Sequence, residues 1–186
     1  MEVTFEITQF CENGCNYCSS NASPKGLHVP IKTIEKWIIE VKEKSIPIER
    51  INISGGEPLA HPDFYRINRM IKKLFPRAEV WVYSNVIENL IFNSDVIKEV
   101  RVDADCLIMP GKSTYVPKNV TRAHLLRFVK SGRGKELEVP DIEISCSHNF
   151  DITDKSCKEC IHITYQADGQ IVESPCKKCY KIGGEI

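Results

Sequence analysis

Strand-like segments that alternate every second residue take turns along this chain with segments that repeat every three to four. That order admits few folds. Val3 to Thr8 puts Val3, Phe5 and Ile7 on one face and Thr4, Glu6 and Thr8 on the other, as a half-buried strand does. Pro30 opens a predicted helix in which Ile34, Trp37, Ile38 and Val41 recur at helical spacing up to Ser45. Ile51 to Ser54 reads as a second strand. His61 to Phe75 reads as a second helix, with Ile67, Met70, Ile71 and Leu74 on one face and Pro76 to stop it. Ala78 to Tyr83 reads as a third strand. Beyond it the pattern predicts helix between about Ile87 and Val100, strand from Arg101 to Met109, helix from Thr121 to Lys130, and a fifth strand from Ile142 to Ser147. Parallel strands joined by crossover helices are the economical topology for such an order, so the expected class is α/β.

Side-chain parity adds a second expectation. A parallel sheet covered on both faces normally reads as continuous apolar runs. Here each strand carries one polar face: Glu6 with Thr4 and Thr8, Asn52 with Ser54, Asp103 with Asp105, Glu143 with Ser145 and Ser147. Glu6, Asn52, Asp103, Asp105 and Glu143 are therefore expected to line a wet or ligand-filled lumen. The bland alternative is an open sheet with one solvated face. Cys106 and Cys146 fall on apolar parity and are read as core residues.

Composition narrows the classes. The 186 residues allow one domain plus an appendage, and the 42% apolar content supports a core. Basic and acidic residues balance at 25 each, so nothing in the overall charge points to nucleic acid or an anionic surface. No apolar run approaches the roughly 18 residues of a membrane helix. Glu2 and Glu6, with no apolar stretch near them, do not read as a secretory signal. The nine cysteines are accordingly expected to be cytoplasmic metal thiolates and not a secreted disulfide framework.

Three of them, Cys11, Cys15 and Cys18, are spaced C-x3-C-x2-C on one short loop after the first strand. Three thiolates suit a cubic four-iron cluster with one iron left for a non-protein ligand. The second strand ends in Ser54-Gly55-Gly56-Glu57-Pro58, where glycines let backbone approach a ligand closely. Together the two motifs resemble the radical S-adenosylmethionine (radical SAM) superfamily over roughly the first 145 residues. The resemblance implies a partial (β/α) barrel of about five to six β/α units. It implies a 4Fe-4S cluster on Cys11, Cys15 and Cys18, with S-adenosylmethionine (SAM) chelating the remaining iron. Tyr17 matches an aromatic position near the adenine. Gly55, Gly56 and Glu57 match the segment that bonds the methionyl amino group. Ser84 and Asn85 match a polar pair contacting ribose or carboxylate, although Val86 stands where the family usually has glycine. The implied chemistry is reductive cleavage of SAM to a 5′-deoxyadenosyl radical, which takes a hydrogen atom from a peptide or small-molecule substrate. A reductant such as ferredoxin or flavodoxin is implied with it.

After residue 150 the character changes. Cys157 and Cys160 form one C-x2-C, Cys176 and Cys179 another, with 15 residues between the pairs. Ala167-Asp168-Gly169, flanked by Ile161 to Tyr165 and Gln170 to Glu173, is a strong hairpin signal that would bring four thiolates together. Residues 151–186 are thus expected to form a small cysteine-rich hairpin extension on a barrel of residues 1–150. By geometry alone such a set makes a zinc ribbon, while iron–sulfur clusters also take four cysteines. Within the superfamily the arrangement resembles Twitch and SPASM extensions, which implies a second 4Fe-4S cluster as the alternative to zinc. His148 and His162 are the spare candidate ligands.

Two further readings stay open. The short barrel and cysteine loop also resemble glycyl-radical activating enzymes, for which a protein partner would dock at the open side of the barrel. A non-catalytic iron–sulfur or zinc scaffold is the reading from a different class.

Overall fold

One central strand, β1 (Glu2–Thr8), organises the sheet, flanked by β2 (Arg50–Gly55) on one side and β6 (His162–Tyr165) on the other. The structure, a computed structural model, describes residues 1–15, 18, 20–84, 104–110, 122–126 and 162–172, the stretches 106–110 and 122–126 by their backbone alone. Among the described residues seven strands form one sheet. The remaining strands are β3 (Glu79–Tyr83), β4 (Cys106–Pro110), β5 (Arg122–Leu126) and β7 (Ile171–Val172), and the order is β5-β4-β3-β2-β1-β6-β7. All neighbours pair in parallel except β6 and β7, an antiparallel hairpin turned at Gly169.

The helices follow the predicted periodicity. In α1 (Ile31–Glu43), Ile34, Trp37, Ile38 and Val41 are buried, and Ser45 in a left-handed conformation lies just past its end. In α2 (Phe64–Leu74), Phe64, Ile67 and Ile71 are buried. Both stripes join one core with Val3, Phe5, Ile7, Ile51, Ile53, Val80 and Val82, so both helices cover the same face of the sheet. Lys42 ties them together, donating to the Leu74 carbonyl at the end of α2 at 2.9 Å. Tyr165 of β6 belongs to this core too, its ring 5.3 Å from Phe5 and 5.5 Å from Trp37. The first strand of the C-terminal hairpin is thereby built into the main sheet.

Two sequence expectations are corrected. Residues 122–126, read as part of a helix from Thr121 to Lys130, form β5 in parallel register with β4 from Cys106↔Arg122 to Pro110↔Leu126. A short apolar run is ambiguous between the two periods, and the ladder offered by the edge of β4 decides for strand. β4 begins at Cys106, not Arg101, because Ala104 and Asp105 precede it as irregular chain. The helix expected near 87–100 and the strand at 142–147 lie outside the described residues.

The face of the sheet opposite the helices is polar. Register stacks Glu2, Arg50, Glu79 and His162 in one layer, then Thr4, Asn52, Trp81 and Thr164, then Glu6 and Ser54. Yet Glu6, Asn52, His162 and Thr164 are buried. This rules against the solvated-face alternative at those positions. Asp105 departs from the expectation of a lumen residue, since its carboxylate accepts the Val80 N–H at 2.8 Å. Asp103, Glu143 and Cys146, and the side chain of Cys106, are outside the description.

Candidate functional site

At the carboxyl ends of β1 and β2 the chain makes its cysteine loop. Backbone bonds hold the loop's arm against the segment that follows it. Gln9 N–H donates to Leu27 O at 2.9 Å, Cys11 N–H to Ser23 O at 3.0 Å, and Ser23 N–H back to Gln9 O at 3.1 Å. A second layer of side chains braces it. Thr8 Oγ1 accepts the Phe10 N–H at 2.9 Å and lies 2.9 Å from His28 Nδ1. His28 stands edge-on to His61, with ring centroids 5.1 Å apart. His61 is 3% exposed; its Nδ1 accepts the Asp63 N–H, so Nε2 carries the hydrogen and donates to Val29 O at 2.9 Å. Burial, and then the neighbouring His61, pushes the His28 pKa below its ordinary value.

Cys11, Cys15 and Cys18 are in no disulfide and each is partly exposed. Gly14, between the first two, adopts φ +53°, and Cys18 N–H closes a turn onto Cys15 O at 3.2 Å. Burial is the main cause of a raised Cys11 pKa, Glu57 and the other two cysteines add to it, and a bond from the Asn13 backbone opposes it. Among the described residues no three His, Cys, Asp or Glu side chains converge on a single ion. A cluster that gives each cysteine its own iron does not require that convergence. Three thiols on one braced loop, partly open to solvent, fit such a cluster.

The glycines carry a steric requirement. Gly55 has φ +127°, and a Cβ there would meet Thr8 O at 2.3 Å; one on Gly56 would meet Phe10 O at 2.2 Å. Real Cβ atoms do not tolerate such distances, so the end of β2 reaches the cysteine arm only because both residues are glycine. The approach is sealed by Gly56 N–H to Thr8 O at 2.7 Å and Glu57 N–H to Phe10 O at 2.8 Å. Glu57, 2% exposed, has its Oε1 engaged by the Leu59 N–H at 3.0 Å and the Ser84 hydroxyl at 2.8 Å. It thereby caps the short 3-10 helix Pro58–Ala60 and joins β2 to the end of β3.

The structure thus brings together Cys11, Cys15 and Cys18, the shelf of Gly55 and Gly56, and the Glu57–Ser84 pair. Tyr17, Asn85, Cys157, Cys160, Cys176, Cys179 and His148 lie outside the described residues. His162, one of two histidines that could substitute as a ligand, is bonded through Nε2 to Thr4 Oγ1 at 2.8 Å, at the end of β1 away from the cysteines. Sequence reasoning missed the Thr8–His28–His61 brace. A threonine twenty residues before the histidine that it meets offers no spacing signal, because the contact forms only when the loop folds back on the end of β1.

Comparison with known proteins follows the same line. The chain is 23% identical over 104 residues to a PqqA peptide cyclase of Gluconobacter oxydans (strain 621H), an alignment covering 56% of this chain and 26% of that protein. It is 35% identical over 68 residues to an S-adenosylmethionine-dependent nucleotide dehydratase of Selenomonas ruminantium, covering 36% of this chain and 23% of the relative. The chain therefore aligns with only about a quarter of either curated relative. Two crystal structures of BtrN share the fold at TM-score 0.54 and 14% identity across 94% of this chain, one selenomethionine-labelled in an open conformation, one in complex with AdoMet and 2-DOIA. They extend beyond it, with 68% and 72% of their lengths covered. The model of the Radical SAM superfamily matches residues 5–103, which take in the cysteine loop, the glycine shelf and Ser84. With more than half of its residues inside that match, this chain belongs to the radical SAM superfamily.

Proposed function

We propose that the protein is a radical SAM enzyme whose Cys11, Cys15 and Cys18 hold a 4Fe-4S cluster and whose Gly55–Gly56 shelf receives the methionyl end of SAM. The observation that carries this reading is the shelf itself: glycine-only backbone brought within hydrogen-bonding distance of the cysteine arm. When bound, the reduced cluster and SAM would supply the electron and the 5′-deoxyadenosyl group for hydrogen abstraction. The chain's own part is positional. Backbone bonds to residues 23–29 hold the thiols outward, Glu57 and Ser84 fix the shelf, and the buried polar face offers a water-poor wall for substrate. In this reading the parallel sheet curves into a partial barrel around that face, Tyr17 and Asn85 complete the SAM contacts, and residues 151–186 form a metal-binding extension. Cys157, Cys160, Cys176 and Cys179 would hold either a second 4Fe-4S cluster or zinc there. The substrate is a peptide or small molecule, the electron donor a ferredoxin or flavodoxin, and the setting cytoplasmic. Among the described residues no helix is long and apolar enough to cross a membrane.

The test is anaerobic reconstitution with iron and zinc counts and electron paramagnetic resonance of the reduced protein with and without SAM. About four irons that disappear in Cys11→Ala, and a signal perturbed by SAM, support the reading; about eight irons support the second cluster, and four with one zinc the structural alternative. If SAM neither alters the signal nor is cleaved, the protein is a metal scaffold and the enzymatic reading fails.

A further inference from the structure

Asn52 lies in the middle layer of the polar face, 3% exposed, and its Oδ1 has no hydrogen-bond partner. An unsatisfied buried oxygen costs on the order of 1–3 kcal/mol, so such a group in a native structure asks for an explanation. The network behind it decides which amide atom faces outward. Glu2 takes the Arg50 Nη1 at 2.8 Å and lies 3.8 Å from His162 Nδ1. A carboxylate on that side favours the tautomer with hydrogen on Nδ1, leaving Nε2 to accept. Thr4 Oγ1, 2.8 Å from Nε2, then donates its single hydrogen there and can only accept from Asn52, whose Nδ2 stands 3.1 Å away. A flipped amide would set two oxygens against each other at Thr4. The chain Arg50–Glu2–His162–Thr4 therefore turns the Asn52 nitrogen toward Thr4 and leaves its buried oxygen without a donor.

Position gives this oxygen a use. Asn52 precedes Gly55 by three residues in β2, about 10 Å along the strand at 3.3 Å per residue. A small molecule bound between the shelf and the sheet's middle layer would meet it. Oδ1 accepts only, and a single neutral acceptor satisfies a hydroxyl but does not offset the desolvation of an ammonium charge.

We propose that Asn52 is a specificity residue whose Oδ1 accepts a hydrogen bond from a hydroxyl of a small, sugar-like substrate, with Thr4 as the residue that orients it. The proposal rests on the radical SAM reading of the polar face as the substrate wall. A site built around a buried acceptor discriminates against compounds lacking the donor, because the acceptor is then left unpaired.

The test uses the reconstituted, reduced protein with SAM, and reads the resonance signal and the rate of 5′-deoxyadenosine formation as probes are added. Glucose and cytidine triphosphate both carry sugar hydroxyls, one without and one with phosphates, and trialanine carries none. At millimolar concentration at least one hydroxylated probe is expected to change the readout, and which one does so separates a free sugar from a nucleotide. Asn52→Leu is expected to weaken that response roughly tenfold or more. Thr4→Val should weaken it as well, and Thr4→Ser should restore it, which a role in folding alone does not predict. Variants are compared at equal iron content and equal response to SAM. A response to trialanine alone, silence from both hydroxylated probes, or wild-type affinity in both Asn52→Leu and Thr4→Val overturns the proposal, and the oxygen then holds a buried water. If SAM itself leaves the signal unchanged, it is the underlying enzymatic reading that has failed.

Discussion

The two ends of β1 are held by different physics. At the carboxyl end the cysteine arm is fastened chiefly backbone to backbone, Gly56 to Thr8, Glu57 to Phe10 and Cys11 to Ser23, with Thr8 and Glu57 adding side-chain bonds beside it. At the amino end they are side chain to side chain: Arg50 on Glu2, Arg50 stacked 3.7 Å over the Trp81 ring, His162 on Thr4, Asn52 on Thr4. Backbone bonding leaves side chains uncommitted, which is what a loop that must offer three thiols needs. Side-chain bonding commits polar groups to one another and closes the far end of the polar face. In the proposed radical site the first end would serve as the rim and the second as the wall, and one strand spans the two.

The contrast can be broken most severely at the rim. Gly56→Ala puts a Cβ 2.2 Å from Phe10 O, and backbone cannot yield as a flexible side chain would. We expect loss of the SAM-induced resonance change and destabilisation of about 2 kcal/mol or more in urea unfolding, in the range of severe overpacking. Retention of the SAM response would show that the shelf tolerates a shift. Next is Ser84→Ala, which removes the hydroxyl donor 2.8 Å from buried Glu57 Oε1. The expected cost is about 1–3 kcal/mol, with the Leu59 N–H still in place to limit it.

At the other end, Arg50→Met removes both the charge beside Glu2 and the guanidinium stacked over Trp81. Both partners are about a quarter exposed, 25% and 22%, so we expect a cost of about 1 kcal/mol by denaturation, smaller than at a fully buried pair. Iron content should be unchanged, since no backbone bond of the rim passes through Arg50. Loss of iron in this variant would mean that the two ends are not independent.

The smallest effect is in pH, and its sign differs between the ends. His28 has its pKa lowered from 6.5 by burial and by His61, so its contribution to folding is present above about 6.5 and is lost as pH falls below it. Glu2 has its pKa raised from 4.5, burial outweighing Arg50, the chain's terminal ammonium and Asn52; its contribution is present below 4.5 and is lost as pH rises through its folded value. Between pH 7 and 5.5, amide protection at Phe10 and Val29, corrected for the intrinsic pH dependence of exchange, should therefore fall while protection at Asn52 does not. A parallel loss of protection at both ends would refute the division.

Much of the rim could be read from sequence, because its parts are close along the chain. Cys11, Cys15 and Cys18 share eight residues, Gly55 and Gly56 end a strand whose alternation is plain, and the stripes of α1 and α2 are regular. Residues 122–126 were misread because five residues do not discriminate a period of two from one of 3.6. The floor was legible only as polar parity. That Asn52, Thr4 and His162 form a single hydrogen-bonded line joins residues up to 158 positions apart.

Local spacing therefore determined by itself the strand–helix order as far as β3, the thiol set and the glycine shelf, since each depends on steric and hydrogen-bonding rules that act over a few residues. Only the tertiary structure decided that residues 162–165 return to pair with β1, which helices' face is the core, and which atom of the Asn52 amide is left without a partner. Those outcomes depend on which strands become neighbours, and neighbours in a parallel sheet are chosen by the burial of the whole chain.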